Sequence, residues 1–376
     1  MNSSLKLGKI AGIDLKVHTT FFLLLIFSAF STLLAGGTPA IMLTELVFIL
    51  ALFLFVILHE FGHALVARRF GYPTQDIILL PIGGLARMKE LPENPKQELL
   101  VALAGPLVNL LLAGAFLVGL LLSGFFAQPL SVSLLTENIW VRLMTVNLTL
   151  ALFNLIPAFP MDGGRVLRAL LASRMSRVKA TQTAATVGKV IALAMGLVGF
   201  FIDPWLVLTA LFIWWGANSE AQSVTTKAKL QGLTVRDAMM SQFYKVEANQ
   251  SLESVMELSM QTGQSMLPVT SNGHFLGFVH RNDLMLAIQK LGRRSPAYAS
   301  ISVEPEGLDP EMPLAETLPK FSISRTLPVV EGGQLIGLVT PEGIRQAIWL
   351  REHHSPSEPP EQKQSFPQTK SESVDG

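Results

Sequence analysis

The feature that most constrains this chain is an unbroken apolar run from Leu46 to Leu58, which leads directly into the sequence His-Glu-Phe-Gly-His at positions 59–63. A helix of about 20 mainly apolar residues is long enough to cross a bilayer. Ionisable residues within such a helix are costly and are by default functional. The sequence therefore predicts a functional polar site near the end of a membrane span.

Six apolar stretches are long enough, or nearly long enough, to cross a bilayer. They cover residues 19–34, 41–66, 99–126, 139–159, 186–202 and 205–217, and the last two are short. Charged residues make up only 15% of the chain, against roughly 25% in soluble domains. We therefore expect a polytopic α-helical membrane domain of about six transmembrane helices over residues 1–222.

The positions of lysine and arginine predict the orientation of these helices. Basic residues precede the first stretch and follow the second, fourth and sixth, and they are absent after the first, third and fifth. Because basic loops stay in the cytoplasm, we expect a multi-pass protein of the cell membrane with both termini cytoplasmic. A cleaved signal peptide is the alternative for the first stretch, but that stretch is long and lacks an A-x-A site.

His59 and His63 are four residues apart and therefore lie on one face of a helix. This spacing lets both imidazoles bind one zinc ion, with Glu60 held beside the water that the metal would activate. A hydrolytic zinc site also needs a third protein ligand. Since the chain has no cysteine, that ligand is a histidine or a carboxylate.

Several side chains on the cytoplasmic side are candidates for the third ligand: Asp76, Glu90, Asp162 and, as a reserve, His18. Asp162 is distinctive because it ends the fourth stretch in a segment with two prolines and a Gly-Gly pair, at positions 157–164. Such residues break helices and permit tight turns. Irregular backbone at membrane depth is tolerated only where it is buried in protein or lines a water-filled cavity, and a hydrolytic site needs such a cavity.

Two asparagines, Asn147 and Asn154, are seven residues apart and lie on one stripe of the fourth stretch. Hydrogen bonding between helices is the favoured interpretation for Asn147. Two interpretations stay open for Asn154, which precedes Asp162 by about two helical turns. It could form a similar interhelical bond, or it could stabilise a developing oxyanion or clamp the substrate backbone.

An internal repeat fills the more charged second half of the chain, where Leu267-Pro268-Val269 recurs as Leu327-Pro328-Val329. We expect one module at residues 231–292 and another at 297–350, each with the order helix, strand, turn, strand, helix. These modules form a soluble α+β domain. Residues 351–376 are rich in Ser, Pro, Glu and Gln, and we expect a disordered tail there.

Together these motifs resemble the site-2 protease family of intramembrane zinc metalloproteases, in its prokaryotic branch with a tandem pair of cystathionine-beta-synthase (CBS) modules. Positions 59–63 fit the HExxH motif, and positions 154–163 fit the second motif, in which Asn, Pro and Asp-Gly recur. Pro-Ile-Gly-Gly at 81–84 and Ala-Gly-Pro-Leu-Val-Asn at 104–109 also look like the family. The resemblance implies one catalytic Zn²⁺ with Asp162 as the third ligand, Glu60 as the base, and Asn154 as a substrate-positioning or oxyanion residue.

The resemblance also implies a substrate class and a ligand. The substrate would be a single-span membrane regulator, such as an anti-sigma factor or a sigma-factor precursor, cleaved within or near its transmembrane helix in regulated intramembrane proteolysis. CBS pairs often bind adenine nucleotides through a Thr or Ser and an Asp three residues later. Here Asp283 follows His280, and Thr340 precedes Gly343, so neither site is complete. Nucleotide binding and a purely structural or homodimerising CBS pair both stay open.

Two alternative functions compete with proteolysis. A CBS-regulated transporter or channel is disfavoured because the intramembrane polar groups cluster at one depth. A non-catalytic scaffold of the same fold is disfavoured because Glu60 accompanies intact ligands. The net charge of +1 gives no reason to expect a nucleic-acid partner.

Overall fold

The computed structural model describes residues 4–81, 83–88, 92–125, 138–302, 305–322 and 324–353. The chain divides into two compact units, Met1–Thr225 and Thr226–Gly376.

Each predicted apolar stretch of the first unit corresponds to a helix. The helices are α1 (Thr20–Leu34), α2 (Pro39–Arg69), α3 (Pro95–Leu122), α4 (Ile139–Asn154), α5 (Asp162–Ala172), α6 (Arg177–Ile202) and α7 (Pro204–Leu230). Within the part of the chain that the structure describes, three helices are long and apolar enough to cross a membrane, namely α2, α3 and α6. The helices α1 and α4 are apolar but shorter.

Helix boundaries in this unit follow local capping. Thr38 accepts a hydrogen bond from the Ile41 amide at the start of α2, and proline occupies the next position. Asn94 caps α3 in the same way and is also followed by proline. Short polar side chains satisfy free amides at helix starts, and proline there loses no hydrogen bond. The predicted span 139–159 was too long, because α4 ends at Asn154, before the two prolines.

The outer faces of these helices carry large apolar side chains. Phe27, Leu122, Phe200 and Trp205 are among those that are mostly exposed. In water, contiguous apolar faces of this kind are unfavourable. Their presence on a folded helical bundle is typical of contact with lipid.

A four-stranded sheet accompanies the helices of the first unit. Its strands are β1 (Ser4–Ile10), β2 (Ile13–His18), β3 (Thr74–Leu80) and β4 (Gly83–Met88), in the order β1-β2-β3-β4. Only β2 and β3 run parallel. Ile13, Leu15 and Ile77 pack against Phe61 and Ala64 of α2. The sheet therefore lies against the helix that carries the two histidines.

The Asp76 carboxylate bonds to side chains of this sheet. Arg87 donates to it with Nε at 2.6 Å, and Lys16 donates with Nζ at 2.5 Å. The hydrogen bonds from Arg87, and then those from Lys16, lower the pKa of Asp76 to about 2 against the opposing effect of burial. The carboxylate thus joins strands β2, β3 and β4, and it is not in the group of potential metal ligands around His59.

The second unit contains the two predicted repeats. Its elements are α8 (Val235–Ala238), β5 (Met239–Met240), β6 (Val246–Glu247), α9 (Leu252–Thr262), β7 (Met266–Ser271), β8 (His274–His280), α10 (Arg281–Leu291), β9 (Leu327–Glu331), β10 (Gln334–Val339) and α11 (Pro341–His353). Both hairpins turn through two residues with positive φ, Asn272-Gly273 and Gly332-Gly333, as two-residue hairpin loops require.

Two details of this unit differ from the prediction. The first helix of the second repeat is a 3-10 helix, Leu314–Ser322, with Pro319 inside it; proline removes a backbone donor and disfavours an α-helix. The last helix runs to His353, so residues 351–353 are helical and not part of a disordered tail. The rest of the predicted tail, 354–376, lies outside the described residues.

Candidate metal centre

Three side chains from two distant segments meet in the first unit. His59 and His63 come from α2, and Asp162 is the first residue of α5. Each histidine Nε2 lies 3.1 Å from Asp162 Oδ2, and the two Nε2 atoms lie 3.1 Å apart. All three residues are at most 8% exposed. The three ligand atoms therefore form a nearly equilateral triangle in the protein interior.

This triangle has the size of a zinc site. Zinc holds nitrogen and carboxylate ligands at about 2.0–2.1 Å in tetrahedral geometry, which separates the ligand atoms by about 3.3 Å. Two imidazoles and one carboxylate are also the donor set of catalytic zinc sites, in which water takes the fourth position. The side chains present thus fit Zn²⁺.

Residue 105 of α3 faces the triangle, and only a glycine there leaves room for a metal ion. A Cβ atom on Gly105 would lie 2.2 Å from His63 Nε2 and 2.7 Å from His59 Nε2. Gly62 of α2 faces α3 in the same way, since a Cβ there would lie 2.8 Å from the Ala104 carbonyl oxygen. Close packing of α2 on α3 therefore forms one wall of the site.

The second nitrogen of each imidazole has its own partner on α3. His63 Nδ1 lies 2.7 Å from the Val101 carbonyl oxygen, and His59 Nδ1 lies 2.5 Å from Asn109 Oδ1. Such outer contacts orient metal-binding histidines. In both rings the partner leaves Nε2 directed at the triangle.

Asp162 reaches the triangle because the chain folds back sharply after α4. Residues 155–161 are irregular, and α5 then begins at Asp162. A Cβ on Gly163 would lie 2.2 Å from the Ile156 carbonyl oxygen, and one on Gly164 would lie 2.6 Å from the Phe159 amide nitrogen. Only glycine permits this close return of the backbone.

A buried cluster of charges holds α5 in place. Arg168 is fully buried and donates from Nε to Glu98 of α3 at 2.7 Å. It also pairs with Glu220 of α7, and Arg177 of α6 donates to the second oxygen of Glu98 at 3.2 Å. This charge cluster connects the helix of Asp162 to three others. Nothing in the sequence pattern indicated it.

The remaining candidates lie in different surroundings. Glu60 is next to His59 on α2, and a Cβ on Gly84 of β4 would lie 2.8 Å from its Cγ. Asn154 donates from Nδ2 to the Leu150 carbonyl oxygen at 2.9 Å, within its own helix. His18 Nδ1 lies 2.7 Å from Thr20 Oγ1 and is not in the metal group. Glu90 lies outside the described residues, as does Ile82 of the Pro-Ile-Gly-Gly segment.

Comparison with known proteins identifies the family. Residues 47–195 match the model of peptidase family M50. Over 353 residues, covering 94% of this chain and 98% of the relative, the sequence is 32% identical to zinc metalloprotease MJ0392 of Methanocaldococcus jannaschii. The chain belongs to the site-2 protease family, peptidase family M50. In this site-2 protease, residues 235–290 and 301–350 match the CBS domain.

Two further likenesses involve parts of the chain. The sequence is 31% identical over 192 residues to stage IV sporulation protein FB of Bacillus subtilis, covering 50% of this chain and 59% of that protein. The structure of a site-2 protease from Methanocaldococcus jannaschii is 37% identical, with a TM-score of 0.43, and covers 58% of this chain and 95% of that one.

Family membership confirms the fold class and the enzyme class that the sequence predicted. The protein is a zinc metalloprotease with a helical, membrane-embedded type of catalytic domain and a CBS pair. The predicted roles of individual residues, and the predicted boundaries of the modules, stay predictions.

The two predicted nucleotide-binding residues, Thr340 and Asp283, lie at the starts of α11 and α10. Thr340 Oγ1 accepts a hydrogen bond from the Gly343 amide at 3.1 Å and so caps α11. Asp283 lies in the first turn of α10. A cavity of about 560 Å³ is lined instead by residues near the two hairpins and before β9: His274, Phe275, Leu276, Pro305, Gly307, Asp309, Val330 and Gly333.

Proposed function

We propose that this protein is an intramembrane protease that cleaves a single-span membrane regulator within or near its transmembrane helix. The observation that supports this most directly is the position of the zinc-sized triangle. Two of its ligands belong to α2, a helix of 31 residues that is apolar enough to cross a membrane. A regulator such as an anti-sigma factor or a sigma-factor precursor is the substrate class, and the process is regulated intramembrane proteolysis.

Each residue of the site has a distinct role in this proposal. His59, His63 and Asp162 hold the metal. Zinc, when bound there, supplies a Lewis acid that activates water at neutral pH. Glu60 accepts a proton from the attacking water and delivers it to the leaving amine nitrogen. Asn154 positions the substrate backbone or donates to the developing oxyanion, for which its Nδ2 has a second N–H beside the one that bonds to the Leu150 carbonyl.

Strand β4 supports a binding mode for the substrate. A helical substrate hides its carbonyls in internal hydrogen bonds, so the cleaved segment must be extended. The strand β4 lies at the edge of the four-stranded sheet, and a Cβ added at its Gly84 would lie 2.8 Å from Glu60 Cγ. An extended segment that pairs with this edge by strand addition would pass beside the base.

The proposed localisation is the cell membrane, with several spans and both termini in the cytoplasm. The distribution of lysine and arginine supports this orientation. It places His59, close to the basic end of α2 at Arg68 and Arg69, on the cytoplasmic side of the bilayer.

Glu60→Gln tests the proposed mechanism. The substitution preserves shape but removes the base, so we expect cleavage to fall at least about 100-fold while zinc content stays unchanged. Purified protein in detergent would be assayed against tagged single-span proteins of the two named classes, with zinc measured by mass spectrometry. Glu45→Gln, which changes a carboxylate on the same helix away from the metal, is the matched control. Unchanged cleavage by Glu60→Gln would overturn the assignment of the base.

We also propose that the CBS pair binds an adenine nucleotide in the 560 Å³ cavity. Its volume lies within the range of small-molecule sites, roughly 300–1,000 Å³. Phe275 and His274 offer faces for a base, and the Asp309 carboxylate offers an acceptor for ribose hydroxyls. Homodimerisation through the CBS modules stays a prediction.

Calorimetric titration of the full chain with AMP and with ATP tests this second proposal. We expect Asp309→Ala to weaken binding about tenfold or more, since a lost hydrogen bond to a charged group is worth about 1.5–3 kcal/mol. Asp283→Ala is the comparison variant, because Asp283 does not line the cavity. A larger effect of Asp283→Ala would place the nucleotide at the position predicted from the repeat, and absence of binding to either nucleotide would overturn the proposal.

A further inference from the structure

We infer that Asn109 and Asn147 form a directional hydrogen-bond relay that selects the metal-binding tautomer of His59. The inference rests on the proposed metal site and assigns a role to two residues outside it. Asn109 Oδ1 lies 2.5 Å from His59 Nδ1, Asn109 Nδ2 donates to Asn147 Oδ1 at 3.0 Å, and Asn147 Nδ2 donates to the Leu143 carbonyl oxygen at 2.9 Å. The relay thus runs from α4 through α3 to α2.

The direction of the relay is set at its far end. A backbone carbonyl can only accept a hydrogen bond, so Asn147 must present Nδ2 to Leu143 and Oδ1 to Asn109. Asn109 must then donate from Nδ2 and present its own Oδ1 to His59. An oxygen acceptor requires the ring to carry its proton on Nδ1. His59 Nε2 is consequently unprotonated, and it directs its lone pair at the triangle.

Burial of both asparagines stabilises this tautomer of His59 over the other. Asn109 and Asn147 are both 0% exposed, so water has no access to replace a missing partner. Reversing either amide would place two donors or two acceptors against each other, and an unsatisfied buried polar group costs about 1–3 kcal/mol. The relay therefore orients the ligand before any metal arrives.

The two histidines differ in how they are oriented. His63 Nδ1 faces a backbone carbonyl, that of Val101, which side-chain substitution does not remove. His59 depends on two side chains instead. A pair of asparagines that merely joined α3 to α4 would stabilise the bundle without affecting the metal. The two hypotheses therefore differ in whether substitution of Asn147 changes the affinity for zinc.

Asn147→Leu is the decisive variant because the hydrogen bonds of the Asn147 side chain go to Asn109 and Leu143 and to none of the proposed metal ligands. Without its oxygen, Asn109 is free to reverse and offer Nδ2 to His59, which favours a proton on Nε2. Loss of an outer contact of this kind weakens metal binding about 10–100-fold, and we expect at least a tenfold rise in the Kd for zinc. The Kd would be measured by competition with a chelator, and the ligand geometry by the visible absorption spectrum of the Co²⁺-substituted protein.

A second substitution is expected to rescue the first. Asn109→Asp places a carboxylate beside His59, and a carboxylate can only accept, so it selects the same tautomer without help from Asn147. The double variant Asn109→Asp, Asn147→Leu should therefore bind zinc within about threefold of the wild type. If the asparagines only connect helices, the double variant binds no better than the single one.

Thr181→Val is the control for loss of a buried polar group. Thr181 is also 0% exposed and bonds to the Arg177 carbonyl oxygen at 2.8 Å in its own helix, so its loss should leave the Kd for zinc unchanged. An unchanged Kd and cobalt spectrum in Asn147→Leu would overturn the relay. Should that variant fail to fold, a comparison of Asn109→Leu with Asn109→Asp decides: the relay predicts at least tenfold weaker zinc binding for Asn109→Leu than for Asn109→Asp, and equal Kd values contradict it. Absence of zinc binding by the wild type would instead overturn the metal site.

Discussion

Gly105→Ala is expected to abolish zinc binding while the chain still folds as a helical bundle. The added Cβ would lie 2.2 Å from His63 Nε2 and 2.7 Å from His59 Nε2, well inside van der Waals contact, and it would project into the face where the ion binds. Neither ring can move aside freely, because Val101 and Asn109 hold their other nitrogens. Zinc content measured by mass spectrometry should fall to background, and proteolysis should be lost with it.

The same helix offers a matched control for this substitution. Gly114 also lies on α3, and a Cβ there would meet nothing within 4 Å. Alanine is a better helix former than glycine by about 1 kcal/mol, so Gly114→Ala should keep full zinc content and should not destabilise the protein. Full zinc content in Gly105→Ala would show that the metal does not lie between α2 and α3.

Arg168→Leu is expected to destabilise the first unit by about 3–5 kcal/mol, the usual effect of leaving buried charges without their partner. Arg168 is fully buried, and its removal leaves Glu98 and Glu220 facing each other across the gap. Arg177 remains on Glu98, which places the effect towards the lower end of that range. The free energy of unfolding in detergent micelles, followed by circular dichroism during denaturation, measures the loss.

Arg69→Leu provides the comparison for the charge cluster. Arg69 is exposed near the end of α2, and substitutions at exposed positions usually change stability by no more than about 0.5 kcal/mol. Equal effects of the two substitutions would contradict a structural role for the cluster. Because α5 also carries Asp162, Arg168→Leu should weaken zinc binding in addition, whereas Arg69→Leu should not.

The helices and two of the three proposed metal ligands were predictable because their signals are local. Apolar length indicates a span, and a spacing of four residues puts His59 and His63 on one face of α2. Asp162 was harder to predict, since the residues alone left Asp76, Glu90 and His18 as further candidates for the third ligand. The family resemblance singled out Asp162, and the structure brings it within 3.1 Å of both imidazoles.

Other features had no local signal. The N-terminal hairpin of β1 and β2 pairs with β3 only after α1 and α2 have intervened in the chain, so the alternation of apolar and polar residues in β2 does not indicate its partner strand. The contact of Arg168 with Glu98 joins residues far apart in sequence, and a charged residue in isolation is most simply interpreted as solvent-exposed. Asn109 belongs to the Ala-Gly-Pro-Leu-Val-Asn segment that resembles the family, but nothing in that segment predicts its bond to His59.

The sequence by itself determined the kind of chemistry: an apolar helix that ends in two histidines and a glutamate, in a chain without cysteine, restricts the metal to nitrogen and carboxylate ligands. The tertiary structure decided which carboxylate completes the triangle, why position 105 must be glycine, and how Asn147 bears on a histidine that it does not touch. Those three facts depend on distances of a few ångströms between different helices. Residue spacing along one helix carries no information about them, because each helix can be rotated or shifted against its neighbours without any change in its own pattern.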